Sequence, residues 1–284
     1  MAVLGLSSRF SVQRWAMRRR DWLSVVLIIL VSIPSLAQVG GKKRRALPYE
    51  FGRVTINNYS GRSAMAPVVF EHWFHRSLFT CRVCHVDVGF AMKPGASNIK
   101  AADNMKGYYC GACHNGRMIS DGRTVFAACS KMVKEEDGVR CDRCHSSGKP
   151  VTMEHDFNQF AKTLPSQRFG NGIDWQQSEE LGLIHPADFV PGLSIKRKNL
   201  RVEGDFSLNS KVAGMPDIIF SHRKHTVWNG CELCHPEIFV GVKKGTSRYS
   251  MATIFEGNSC GACHNTVAFP LTDCQRCHTK AVQP

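Results

Sequence analysis

The chain has 284 residues, with 37 Lys and Arg against 23 Asp and Glu, for a formal charge of +14 at neutral pH. A hydrophobic fraction of 43% excludes a disordered or fibrous chain. The outlying counts are 13 Cys and 12 His, and most of them fall into one short recurring pattern.

In chain order, residues 1–37 read as an export signal. Arg18, Arg19 and Arg20 precede an apolar run from Trp22 to Pro34, and Ser35-Leu36-Ala37 ends it with small residues suited to cleavage before Gln38. The run is shorter than the roughly 20 residues of a membrane span, so an uncleaved anchor is the lesser reading. Met17 is a second possible start. Removal of 1–37 takes away five basic residues and one acidic residue, leaving a net of +10. A basic arm, Gly40 to Arg45, opens the segment 38–63 that precedes the first cysteine-bearing module.

Six segments then share the pattern C-x-x-C-H. They end on His85 (Cys81, Cys84), His114 (Cys110, Cys113), His145 (Cys141, Cys144), His235 (Cys231, Cys234), His264 (Cys260, Cys263) and His278 (Cys274, Cys277). Two thiols three positions apart can each form a thioether with one haem vinyl group, and the next residue then places its imidazole under the iron. Zinc ribbons, redox C-x-x-C pairs and disulfides do not require a histidine after the second cysteine. The pattern predicts six covalently bound haem c groups. Two ionised propionates on each haem would bring the charge of +10 to about −2 in the reduced protein, and one net positive charge at each ferric iron would bring it to about +4 in the oxidised one. The basic excess therefore needs no nucleic-acid partner.

The segments form an internal repeat. Phe70, His72, His75, Cys81, Cys84, His85 and Cys110 recur 150 positions later as Phe220, His222, His225, Cys231, Cys234, His235 and Cys260. The register breaks before the third site, where the first copy carries 17 extra residues. Two three-haem modules follow, 64–150 and 214–284, joined by a linker, 151–213. In each copy Phe-x-His-x-x-His puts two imidazoles near one face of a helical turn, within reach of neighbouring haems.

Phe-x-His-x-x-His followed by three C-x-x-C-H sites resembles the class III three-haem cytochromes c of the c-seven type, which are small periplasmic electron carriers. The resemblance covers both modules. It implies a haem-dominated fold of mainly short α-helices and irregular coil, with His85, His114, His145, His235, His264 and His278 as proximal iron ligands. It also implies distal pairing of His72 with His85, His75 with His114, His222 with His235 and His225 with His264. The family's third distal histidine has no counterpart here, since Asn104-Met105-Lys106-Gly107 and Phe255-Glu256-Gly257 occupy that place. His155 and His185, both in the linker, could complete the haems on His145 and His278. Methionine is the rival, with Met65 and Met215 related by the 150 offset and Met105 and Met251 near the empty position. An open, five-coordinate iron is the third possibility.

Cys129, the thirteenth cysteine, lies in the 17-residue expansion and reads as a free structural thiol. The linker is expected to hold helical stretches near 152–164 and 173–183, broken by Phe169-Gly170-Asn171-Gly172. Its basic cluster, Ser194 to Lys198, reads as a solvated or propionate-pairing face, with docking of an acidic redox partner as the alternative. Trp175 and Phe189 are candidates to cover a haem edge.

The expected function is electron transfer along closely spaced haems, not enzyme catalysis. The chain would take electrons from an inner-membrane quinol-oxidising donor and pass them to an outer-membrane or extracellular acceptor. The expected location is the periplasm, with outer-membrane or extracellular placement as the alternative. Membrane association would come only through partners or an uncleaved signal anchor. A multihaem oxidoreductase with an open haem, and a fixed subunit of an electron conduit or filament, are the rival functions.

Overall fold

The computed structural model describes residues 46–120, 122–129, 141–146, 156–198, 200–210, 212–240 and 246–280. The export segment 1–37, the basic arm Gly40 to Arg45 and His155 lie outside the described residues.

Regular structure is sparse, and its pieces are short. Strand β1 (Arg53–Ile56) pairs antiparallel with β2 (Val68–Glu71), with Val54 opposite Phe70. Helix α1 (His72–Leu78) follows β2 without a break. Short helices α2 (Ala101–Met105) and α3 (Cys110–Cys113) come next, then a two-residue hairpin of β3 (Ile119–Ser120) and β4 (Arg123–Thr124). Between the two halves lie α4 (Phe157–Lys162) and α5 (Trp175–Glu180), N-capped by the carboxylates of Asp156 and Asp174. They fall inside the two stretches expected to be helical. The glycines at 170 and 172 adopt left-handed φ of 69° and 83° between them.

The second half repeats the first. Strand β5 (Phe206–Leu208) pairs with β6 (Asp217–Phe220), with Phe206 opposite Phe220, and α6 (His222–Asn229) follows directly. Helices α7 (Met251–Phe255) and α8 (Cys274–Cys277) precede β7 (His278–Lys280), which returns to pair with β6. No helix among the described residues is long and apolar enough to cross a membrane.

The principal cluster of buried side chains sits under the segment expected to be a linker. Trp73 of α1 packs with Phe157, Leu164, Ile173, Trp175 and Ile184, and Trp228 of α6 lies against the same cluster. Backbone bonds tie this segment to the first half, from Thr80 N–H to Ala187 O and from Ala187 N–H to Leu78 O. Outside this cluster few large side chains are buried. Instead, the two halves wall a single cavity of about 1840 Å³. Ordinary small-molecule pockets run from about 300 to 1,000 Å³, so this space suits several large groups rather than one.

Candidate cofactor-binding site

Each C-x-x-C-H segment folds as one tight turn. The histidine N–H donates to the carbonyl of the first cysteine at 2.8 Å in His114, 2.8 Å in His145, 3.1 Å in His235 and 3.0 Å in His264, and His278 bonds Cys274 O in the same way. This four-residue closure brings both thiols and the imidazole to one side of the turn.

The sequence Cys-Gly-Ala-Cys at the second site of each half has a steric cause. A Cβ on Gly111 would stand 1.8 Å from Asn104 O, and one on Gly261 would stand 1.8 Å from Ile254 O. Helices α2 and α7 therefore lie directly on these turns, at an approach only glycine permits.

The Phe-x-His-x-x-His element joins a strand end to a helix start. Phe70 ends β2 with its ring 4.8 Å from that of His72 and 4.5 Å from that of His75. Phe220 repeats this at 5.0 Å from His222 and 4.4 Å from His225. The phenyl ring is thus the spacer that sets the two imidazoles apart.

Three predicted pairs are brought face to face across open space. Ring centroids are 6.4 Å apart for His72 and His85, 6.2 Å for His75 and His114, and 6.3 Å for His225 and His264. A metal–nitrogen distance of about 2 Å on each side, plus about 1.2 Å from nitrogen to ring centre, would put two imidazoles holding one metal about 6.4 Å apart. The pairs therefore fit a metal between them, and all six of these rings line the cavity. For His222 and His235 the structure gives no such approach.

The imidazoles are also prepared electronically. Nδ1 hydrogen-bonds a backbone carbonyl in His72 (Gly52, 2.6 Å), His85 (Phe90, 2.9 Å), His225 (Ser221, 2.8 Å), His235 (Phe239, 2.8 Å) and His264 (Phe269, 3.1 Å). A proton held at Nδ1 leaves the Nε2 lone pair free for a metal. Burial keeps the rings neutral, lowering His72, His75 and His264 to about 4.

The third site of each half follows the same rule. His145 Nδ1 bonds Ala66 O at 2.6 Å, and His278 Nδ1 bonds Pro216 O at 2.7 Å. Positions 66 and 216 are again 150 apart, so the repeat governs this site despite the 17-residue expansion. Met65 and Met215 immediately precede those carbonyls in the chain and are 39% and 36% exposed. His185 is exposed and lies against Gly182. Among the described residues no imidazole faces His145 or His278 at the separation seen in the three pairs.

Cys231 and Cys274 are exposed, and the other attachment thiols are partly buried. Burial raises Cys84, Cys110 and Cys263 to about 12, and Cys234 and Cys277 to about 11. Zinc and redox chemistry need accessible thiolate, whereas a thioether carries no charge. The described residues contain no group of three or more His, Cys, Asp or Glu able to share one metal ion. Cys129 Sγ sits 3.7 Å from Asn104 Nδ2, beneath α2.

Lys196 and Lys198 of the basic cluster are exposed, as expected of a solvated face, but its third cation turns inward. Arg197, in the basic cluster, donates to Asp87 Oδ1 at 2.6 Å and to Glu232 Oε1 at 2.7 Å, so it joins the two halves. Arg82, inside the first attachment segment, pairs with Asp188. Arg276, inside the last, pairs with Asp174 at 3.0 Å. Trp175 is buried in the side-chain cluster, while Phe189 is 41% exposed.

Two stretches, residues 68–146 and 218–279, match the family described as cytochrome c7 and related cytochrome c. The chain belongs to the cytochrome c7 family. The starts of the two matches are 150 residues apart, and together they contain all six C-x-x-C-H segments. A c7-type three-heme cytochrome domain is 42% identical over 25% of this chain and 90% of its own length, with a TM-score of 0.23. The dodecaheme cytochrome c GSU1996 is 27% identical over 82% of this chain and 75% of its own, with a TM-score of 0.26. Its C-terminal hexaheme fragment is 24% identical over 80% of this chain and 97% of its own, with a TM-score of 0.24. Comparison with curated proteins gives no match. The chain is accordingly a tandem c7-type multihaem cytochrome, with haem c as its cofactor.

Proposed function

We propose that this cytochrome c7 protein is an exported six-haem electron carrier, built as two three-haem modules and working outside the cytoplasm between a quinol-oxidising donor and a more distant acceptor. One observation carries the reading. Three imidazole pairs stand 6.2–6.4 Å apart beside attachment turns around one shared cavity.

Haem iron held between such pairs supplies one-electron ferric/ferrous chemistry. The chain's own contribution is to fix most of these rings through a carbonyl at Nδ1, which leaves Nε2 unprotonated; His114 Nδ1 is buried without such a partner. At the three facing pairs both axial positions are taken, which leaves no place there for a substrate and favours a carrier over an enzyme. Intact mass and pyridine haemochrome analysis of purified protein should give six haems per chain. Ferric EPR should be dominated by low-spin bis-histidine signals. Zinc in place of haem, or fewer than six thioether-bound groups, would sink this reading.

The open-haem reading has one observation in its favour, namely the absence of a described imidazole opposite His145 and His278. Carbon monoxide binding by the reduced wild-type protein, with high-spin ferric signals in its EPR spectrum, would support it.

A further inference from the structure

The repeat is informative where it fails. At the 150 offset Trp73 corresponds to Arg223, Arg76 to Thr226, Leu78 to Trp228, Thr80 to Gly230 and Arg82 to Glu232. These mismatches cluster where the halves meet. Trp73 and Trp228 enter one apolar cluster. Gly230 lets Arg82 pass, because a Cβ there would stand 2.6 Å from Arg82 Cδ. Arg82 and Glu232 take opposite charged partners, Asp188 and Arg197.

Arg76 stands at the centre of this junction. Its guanidinium carbon lies 4.3 Å from the ring centre of Trp175 and 5.0 Å from that of Trp228. Nη1 donates to Val267 O at 2.7 Å. Three segments of the chain therefore converge on one cation. Nε is buried and has no partner, and none of the ion pairs among the described residues involves Arg76. With indoles against the guanidinium, approach in its plane is what remains, and a carboxylate is the group that fits the fork in that plane. A buried cation without a counter-ion is costly. Arg76, Trp175 and Trp228 all line the large cavity.

We propose that Arg76 is the seat of a haem propionate at the junction of the two modules, and that it fixes the position and raises the potential of the haem it holds. This rests on the six-haem reading. Arg76 is five residues before Cys81, and Val267 is three after His264, so the haem belongs to the first site of the first half or the second site of the second. A fixed positive charge favours the ferrous iron, which carries one less positive charge than the ferric. Thr226, at the matching place, bonds back only to its own helix, to His222 O at 2.9 Å and Arg223 O at 3.2 Å. The asymmetry thus gives one haem of the protein an anchor that its repeat partner lacks.

The test compares Arg76→Gln and Arg76→Lys in the holoprotein, reading haem count by mass, thermal stability, and midpoint potentials resolved haem by haem by NMR. Arg76→Gln should keep six haems and lower one midpoint so that its reduced-to-oxidised ratio falls about tenfold, or about 59 mV for one electron. Arg76→Lys should recover part of that shift. If every midpoint stays in place while thermal stability falls, Arg76 is only a strut and the proposal is overturned. Should the glutamine variant fail to load haem, the lysine variant decides, and unchanged midpoints in it overturn the proposal. A wild-type protein with fewer than six haems would instead count against the six-haem reading.

Discussion

Arg197 is the residue whose removal should most sharply separate a surface charge from an internal clamp. The Asp87 side chain is 0% exposed and Arg197 is 20% exposed, whereas Glu232 is 43% exposed. Oδ1 of Asp87 accepts from Arg197, and Oδ2 is buried without a partner. Arg197→Ala therefore strands a buried carboxylate, a change that typically costs about 3–5 kcal/mol. The exposed arm to Glu232 should add less than about 1 kcal/mol. At about 2–4 °C per kcal/mol for a protein of this size, the melting temperature should fall by roughly 6–20 °C. Glu232→Gln should shift it by no more than about 4 °C. Asp87→Asn added to Arg197→Ala removes the stranded charge and should restore most of the loss. Thermal unfolding of the holoprotein across this double-mutant cycle gives the coupling directly. If Arg197→Ala and Glu232→Gln prove equally mild, or if Asp87→Asn rescues nothing, Arg197 is a solvated charge after all and the clamp does not exist.

Other outcomes follow from the same geometry. Gly261→Ala and Gly111→Ala each force a Cβ to 1.8 Å from a backbone oxygen and should cost about 3 kcal/mol or more in chemical denaturation, while Gly204→Ala, with nothing within 4 Å, should be neutral. His75→Ala should leave the ring of His114 without its partner, turning one low-spin haem high-spin and open to carbon monoxide, and His225→Ala should do the same for His264. His185→Ala should leave the EPR spectrum unchanged, since the side chain is exposed at the surface; a new high-spin signal would place it on an iron.

Much of the site was legible because its chemistry is written in fixed local spacings. C-x-x-C-H closes within one turn and Phe-x-His-x-x-His within another, so both can be read without knowing the rest of the fold. The distal pairs came through the resemblance, and His72 and His85 do lie opposite each other although 13 residues separate them. What stayed hidden was the junction. A search for repeats rewards matches, so Arg76 and Trp228 looked like noise beside Thr226 and Leu78. Arg197 was hidden for a second reason. A run such as Ser194 to Lys198 gives no hint which of its cations turns inward, because that depends on Asp87, 110 residues away. The role of the linker was likewise invisible, since α4 and α5 carry only six residues each, too few for a clear helical period.

The division between matched and mismatched positions has a physical sense. Axial imidazoles, thioether turns and the glycines beneath them must keep the same geometry wherever a haem is held, so the two halves agree there. Contacts between the halves face a different constraint. A residue kept the same in both halves would present the same charge twice at the junction, and Arg82 and Glu232 depart from this, occupying one repeat position with opposite charge. Each then takes its partner from the intervening segment, Asp188 for the first and Arg197 for the second. The segment between the two halves thus acts as a mortise. It contributes most of the buried side-chain cluster, one indole against Arg76, and counter-charges for both halves. Loosening it should disturb transfer between the modules before it disturbs any haem within one. Trp175→Ala provides that comparison: electron exchange within each half should keep its rate, and exchange between halves should slow. Equal slowing of both would mean that the segment supports the haems themselves and not the junction.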